Sequence, residues 1–368
     1  MRAEVPGLRG IRYFAAQHAD AAVADAIEAL GRERAALAAS GHRGPLPPMS
    51  FLAISGGGED GAFGAGLLVG WSAQGTRPQF KVVTGVSTGA LTAPFAFLGP
   101  AYDEQLKSIY TRTTAKDIFE SRWILAALLK DAMSDTSPLR RTVARFLNDK
   151  MVRDIAEEHR KGRMLLVATT NLDGQRGVVW NITKIAASGH PKAVALIREI
   201  LIASAAVPGV FPPVMIDVEA DGKRYQEMHV DGGASMQVFT YPPGLELDRL
   251  AHARGAAREK RMYVIRNGRL DADPVEVERR LLSIAGRSIS SLIQNQGVGD
   301  LYRIYVTSRK DEMDFNLAFI PPDFKVQLKE PFDRHYMNAL FKLGYDLAVP
   351  GYRWHKAPPD VGGLSVTR

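Results

Sequence analysis

The chain of 368 residues contains no cysteine. That absence excludes a disulfide scaffold, a thiolate metal site, an iron–sulfur cluster and a cysteine nucleophile. Long apolar runs are also missing: no stretch reaches the roughly 18 uninterrupted residues that a membrane-spanning helix needs. Residues 1–20 lack the apolar core of a signal peptide. Taken with the lack of cysteine, this suits a cytosolic protein and a trimmed exported one equally. There is no long basic run and no aromatic RNA-binding signature, so nucleic acid is not an expected partner. The net charge of +7 is dispersed in short Arg and Lys clusters, which gives a weak general attraction to anionic surfaces.

What is present is an ordinary globular composition, 46% hydrophobic and 24% charged, and this excludes wholesale disorder. The length fits one large domain or two smaller ones. Residues 1–20 read as an irregular arm and residues 21–39 as an amphipathic helix; Gly41 to Pro48 is a linker. Short apolar strands then alternate with helices. Strands are expected at Phe51–Ile54, Phe80–Gly85, Met164–Thr170, Val178–Lys184, Met215–Val218, Gln226–Val230, Arg261–Arg266 and Leu317–Ile320. Helices are expected after Gly58, at Thr88–Leu98, across much of 101–160, at Pro191–Ala205, and at 275–306 and 333–348; the tail from Ala357 reads as loose. This alternation predicts an α/β fold with a largely parallel sheet. Three segments are expected: an N-terminal arm and helix (1–48), a core (49–245) and an α/β extension packing on it (246–368).

Three motifs follow strand ends. Gly85-Val86-Ser87-Thr88-Gly89 lies between a strand and a helix, the context of a nucleophile elbow. Ser87 would sit on a tight turn that needs glycine on both sides, with the helix dipole nearby. A plain helix cap by Ser87 or Thr88 explains the same residues. Ser55-Gly56-Gly57-Gly58-Glu59-Asp60-Gly61 is a turn whose backbone N–H groups can converge on an anion. A Walker loop is excluded because no Lys-Ser or Lys-Thr follows; Gly56-x-Gly58-x-x-Gly61 also has dinucleotide-fingerprint spacing, which leaves Ser87 unexplained. Asp231-Gly232-Gly233 puts a carboxylate at a strand end, or is an Asp-Gly turn. Serine needs a base. Of the eight histidines, His229 alone neighbours a motif and is the alternative base; His18, His42, His159, His190, His252, His335 and His355 lack partners. Together the motifs supply oxyanion donors, a nucleophile and a base.

In this order the motifs resemble the patatin-like phospholipase family, in its bacterial-type form. A fourth block shares the resemblance: Ala203-Ser204-Ala205-Ala206-Val207-Pro208-Gly209-Val210-Phe211-Pro212-Pro213. The resemblance runs from about Phe51 to Tyr241. It implies a three-layer α/β/α sandwich around a mostly parallel sheet. It also implies a serine lipid acyl hydrolase (phospholipase A, lysophospholipase or carboxylesterase) that uses a Ser–Asp dyad without histidine. By that analogy Ser87 is acylated and Asp231 is the base. The glycine turn, Gly56, Gly57 and Gly58, with Thr88, makes the oxyanion hole. Gly61, Gly85, Gly89, Gly232 and Gly233 complete the motifs. The expected partner is a lipid or acyl ester, with at most peripheral membrane contact; no cofactor and no metal is expected. Calcium stays open, although the pairs Glu59-Asp60 and Glu157-Glu158 have no histidine at ligand spacing. The alternative is a lipid- or membrane-binding member with little turnover.

One departure stands out. The family often carries Arg or Lys before the last glycine of the turn, where this chain has Asp60 after Glu59. Both acids are expected to point outward at the helix N-terminus. The segment Phe332–Tyr345 has the pattern of a helix lying on lipid or one packed on the sheet.

Overall fold

The computed structural model describes residues 3–15, 19–118, 137–271 and 276–359. His18, part of the helical reading of 101–160, residue 275 and the tail beyond Pro359 lie outside the described residues.

The strands are β1 (Arg12–Phe14), β2 (Met49–Ile54), β3 (Val82–Val86), β4 (Met164–Asn171), β5 (Arg176–Asn181), β6 (Val214–Ala220), β7 (Lys223–Asp231), β8 (Lys260–Arg266) and β9 (Asp314–Phe319). The helices are α1 (Ala19–Ala39), α2 (Gly61–Gln74), α3 (Thr88–Leu98), α4 (Asp103–Arg112), α5 (Ala115–Ile118), α6 (Ser137–Phe146), α7 (Asp149–Arg160), α8 (Ile182–Ala187), α9 (Ala193–Ser204), α10 (Leu247–Ala253), α11 (Leu281–Lys310) and α12 (Arg334–Ala348).

All nine strands belong to one sheet with the path β1-β5-β4-β3-β2-β8-β9. From β4 to β9 the neighbours run parallel. The antiparallel pairs β4–β5, β1–β5, β4–β7 and β6–β7 gather at one end. Period-two alternation assigns the strand residues to two cores. Leu52, Ile54, Val83, Leu165 and Ile265 face the core shared with α2, α3, α9 and α12. Phe51, Ala53, Val82, Leu166 and Val264 face the core shared with α1, α10 and α11. Helices thus cover both faces, and the fold is a three-layer α/β/α sandwich with mostly parallel central strands.

Several expectations change. The arm contributes β1, held by pairing Arg12 with Trp180. The strand expected to Lys184 stops at Asn181, whose side chain caps α8 by accepting the Lys184 N–H. Residues 246–368 insert β8 directly beside β2, so this segment completes the sheet. The Phe332–Tyr345 helix packs on a helix and not directly on the sheet: α12 lies so close to α2 that a Cβ on Gly66 would come 2.0 Å from the Phe341 carbonyl and one on Gly344 2.3 Å from that of Phe63. Gly66 and Gly70 of α2 and Gly344 of α12 leave the room for this contact. No helix among the described residues is long and apolar enough to cross a membrane.

Candidate active site

The edge of β4 aligns the two candidate residues. Ala168 pairs with Val86, the last residue of β3. The next residue, Thr169, pairs with Asp231, the last residue of β7. The strands approach this shared edge from opposite directions, and each ends where the other ends. Ser87, one residue beyond Val86, therefore meets Asp231 across the gap.

Ser87 has φ 54° and ψ −126°, a backbone state that a non-glycine residue keeps only where its surroundings hold it. The glycines on either side make the turn feasible. A Cβ on Gly85 would lie 2.4 Å from the Gly89 carbonyl, and one on Gly89 2.3 Å from that of Ile54. The fourth motif block braces both residues. Ser204 Oγ accepts the Ser87 N–H at 3.0 Å and donates to the Ala168 carbonyl at 2.7 Å. The Asp231 N–H is donated to the Ala206 carbonyl at 2.9 Å. Ser204 was not among the expected site residues. Its only sequence signal is its place in that block.

Asp231 is 4% exposed and Ser87 7%. Burial pushes the Asp231 carboxyl up to about 7, against the lowering effect of the Ser87 hydroxyl and of the Gly233 N–H. Oδ1 accepts that N–H at 2.6 Å. Oδ2 is sealed from solvent and has no partner in full hydrogen-bond geometry among the described residues. A carboxyl poised near neutrality beside a hydroxyl can exchange a proton with it.

The glycine turn follows β2, next to β3. Gly57 is pressed against the Asn267 backbone, where a Cβ would lie 2.0 Å from the carbonyl oxygen. Asn267 in turn donates its Nδ2 to the Ser55 carbonyl at 3.0 Å and receives the Gly64 N–H at 3.1 Å. The N–H groups of Gly57 and Gly58 take no acceptor among the described residues. Gly56 differs from expectation: its N–H is donated to the Gln237 carbonyl at 3.0 Å, so it is not free to bind an oxyanion. The Thr88 hydroxyl is turned into a buried chain, 2.6 Å from the Tyr110 hydroxyl, leaving only its first-turn N–H as a donor.

Asp60 and Glu59 do not point outward as expected. Asp60 borders the cleft, and its Oδ1 accepts the Tyr336 hydroxyl at 2.6 Å. Burial pushes it up to about 7, with the Tyr336 hydrogen bond and the charges of Arg266 and Arg269 pulling down and Glu59 pushing up. Glu59 is raised by burial and accepts the Phe332 N–H. The N-terminal end of α12 thus covers both acids.

His229 is not the base. The ring is fully buried, with Nδ1 2.9 Å from the Thr169 hydroxyl and Nε2 3.1 Å from the Glu227 carboxylate. Glu227, although burial opposes its charge, is brought down to about 2 by His229 and Arg12. This is a closed structural network. Among the described residues no group of three or more histidine or acidic side chains is arranged to hold a metal ion.

Ser87, Asp231, Gly57 and Gly58 open on a cleft of about 830 Å³, whose far side is formed by Arg266 to Asp271 and by α11. It lies at the C-terminal ends of the parallel strands, where open α/β sheets bind their ligands.

Solved structures similar to this chain include VipD from Legionella pneumophila, at 12% identity and TM-score 0.39, matching 81% of this chain and 65% of that one. Another is human GIVD cytosolic phospholipase A2, at 10% identity and TM-score 0.35, matching 90% of this chain and 56% of that one. The chain thus spans less than two thirds of either. No curated protein sequence matches it. The family model described as patatin-like phospholipase matches residues 52–242, just over half of the chain and including the ends of β2, β3, β4 and β7. This protein belongs to the patatin-like phospholipase family.

Proposed function

We propose that this protein is a serine lipid acyl hydrolase in which Ser87 is the nucleophile and Asp231 the only base. The observation that carries this reading is the β4 register, in which consecutive residues Ala168 and Thr169 pair with the residue before Ser87 and with Asp231. The family's description as phospholipases supports a lipid ester as the substrate.

In the proposed reaction ionised Asp231 takes the proton of Ser87 Oγ as that oxygen attacks the ester carbonyl carbon. The carbonyl oxygen becomes an oxyanion that receives the N–H groups of Gly57 and Gly58, with Thr88 N–H as a further donor. One such donor is worth about 10²- to 10³-fold in rate. Collapse breaks the bond to the alcohol, which leaves with the proton returned by Asp231. Water then gives a proton to Asp231 and attacks the acyl-serine. The second collapse releases the fatty acid, and Ser87 recovers its proton from Asp231. A carboxyl near pH 7 suits both halves, because it accepts and returns a proton without a large cost either way. That is the task histidine performs elsewhere, and it explains why a histidine is dispensable here.

The test is hydrolysis of p-nitrophenyl esters and of dispersed phospholipid by the wild type, Ser87→Ala and Asp231→Ala, with a fluorophosphonate probe and mass mapping of the labelled residue. Activity lost in both variants and labelling at Ser87 are expected. Undiminished hydrolysis by Ser87→Ala overturns the proposal.

A further inference from the structure

Arg266 is a buried cation without an ion pair. It is the last residue of β8 and is 3% exposed. Among the described residues no carboxylate lies within ion-pair distance of it. Its Nη2 donates to Gln294 Oε1 at 3.0 Å, while Nε is sealed from solvent with no partner. Nη1 makes no hydrogen bond among the described residues. The two carboxyls within electrostatic reach are Asp60 and Asp300, and both are engaged elsewhere. Asp60 accepts the Tyr336 hydroxyl at 2.6 Å. Asp300 accepts the Gln237 N–H at 2.7 Å and pairs with Arg303 at 3.1 Å. A guanidinium is always charged, and burying one without a directly paired carboxylate is unfavourable unless a ligand supplies the partner.

The fold makes room for this group deliberately. Gly297 lies inside α11, where glycine weakens a helix. A Cβ there would lie 2.8 Å from Nη2 and 2.9 Å from Cζ of Arg266. The guanidinium packs into the space this glycine leaves. Arg269, paired with Asp271 at 2.7 Å, and Arg287 border the same cleft.

The position relative to Ser87 follows from register. Ile54 of β2 pairs with Gly85 on one side and with Ile265 on the other. Ser87 and Arg266 leave the sheet just beyond these partners, two strand spacings or about 10 Å apart at the backbone. The glycine turn lies between them. Across the cleft the order is therefore base, nucleophile, oxyanion turn, cation. An ester carbonyl and a phosphate separated by a few bonds of a glycerol unit fit that order.

We propose that Arg266 is a phosphate subsite: its guanidinium receives the phosphoryl group of a glycerophospholipid whose ester lies at Ser87. The assignment of the ester end rests on the hydrolase reading above. A guanidinium that lines the cleft with its Nη1 unfilled suits a phosphate oxygen.

The experiment compares dioctanoyl phosphatidylglycerol with dioctanoylglycerol in the same mixed micelles. The wild type, Arg266→Gln and Arg266→Lys are assayed. For Arg266→Gln the ratio of the two kcat/KM values, phospholipid over neutral lipid, falls roughly 10- to 100-fold, the range for losing a charge-assisted hydrogen bond. Arg266→Lys restores part of it. Thermal melts separate this from a packing role: because the charge is unpaired, Arg266→Gln melts no lower than the wild type without ligand. Glycerol phosphate raises the melting temperature of the wild type and not of Arg266→Gln. An unchanged ratio, or a lower melting temperature with equal losses on both lipids, overturns the proposal. Arg266-dependent binding of inorganic phosphate with an unchanged lipid ratio overturns it in favour of a free-phosphate site. If the wild type hydrolyses neither lipid, the hydrolase reading fails and the binding comparison decides the subsite. Glycerol phosphate binding abolished by Arg266→Gln then keeps it, and binding that is absent or unaffected ends it.

Discussion

Asp231 and Asp60 sit on opposite flanks of one cleft, each following a strand end and each pushed to about 7, mainly by burial. Their surroundings then diverge. Asp231 keeps Oδ2 without a partner, beside Ser87. Asp60 gives its Oδ1 to Tyr336, a hydroxyl on the packed helix α12. Desolvation alone thus creates two carboxyls with similar proton affinity, and only the neighbouring group separates a candidate base from a structural acid. A raised pKa marks both, so it identifies neither.

The sharpest way to break the comparison is to neutralise each acid in turn. Asp231→Asn keeps an oxygen for the Gly233 N–H but cannot take a proton. Ester turnover is expected to fall by about 10³- to 10⁴-fold, as for loss of a general base from a serine site. Asp60→Asn is expected to cost less than about tenfold. Steady-state assays of both variants decide the matter, and comparable losses would abolish the distinction.

The pH profile is the next largest effect. In the proposed reaction Asp231 must be ionised to accept the Ser87 proton, so kcat/KM should rise about tenfold per pH unit below 7 and level off above it. The limb should persist in Asp60→Asn. If it vanishes there, Asp60 is the group that titrates. The stability sign runs the other way. Both acids have folded pKa values above the ordinary carboxylate range, so their contribution to stability is complete at acid pH and is lost as pH rises through about 7. Asp231→Asn should therefore melt higher than the wild type at pH 8, with the gap closing towards pH 5.

Below these in size comes the brace. Ser204→Ala leaves the buried Ser87 N–H and the Ala168 carbonyl without the hydroxyl that links them. Unsatisfied buried polar groups cost about 1–3 kcal/mol each. A lower denaturation midpoint is expected, with turnover reduced about tenfold through a shifted Ser87. Unchanged turnover with lower stability would make Ser204 a purely structural support.

These residues also mark where the sequence is legible. Ser87 and Asp231 stand in short local motifs, so strand and turn can be read in order, although Gly89 and Gly232 answer to the distant carbonyls of Ile54 and Ala168. The strands of the parallel centre announce themselves as short apolar runs. Ser204 is quieter, because its partners Ser87 and Ala168 come from distant strands. Arg266 and Asn267 end an unremarkable apolar run. Nothing nearby tells that β8 pairs with β2 and carries them to the glycine turn. β1 has the same difficulty, since three residues form a strand only where the β5 edge accepts them. Glu59 and Asp60 were misjudged for a related reason: the segment that covers them, Phe332 to Tyr336, lies far along the chain.

That cover supplies the finest test of the comparison. Tyr336→Phe removes a hydrogen bond that favours the ionised form of Asp60, while Tyr336 itself, raised by burial, stays neutral throughout. Without the hydroxyl the Asp60 carboxyl moves further above 7. Where Asp60 is protonated, below about pH 6, a neutral hydrogen bond is lost and the cost is about 1 kcal/mol. Above pH 8 the wild type holds a carboxylate there, and losing a donor to a charged group costs more, about 1.5–3 kcal/mol. The difference in melting temperature between wild type and Tyr336→Phe should therefore widen as pH rises through 7. Ester turnover should change by less than about threefold, because in the proposed reaction the proton exchanged with Ser87 belongs to Asp231. A gap that stays constant with pH would mean that Asp60 does not titrate in this range, and its likeness to Asp231 would end at burial.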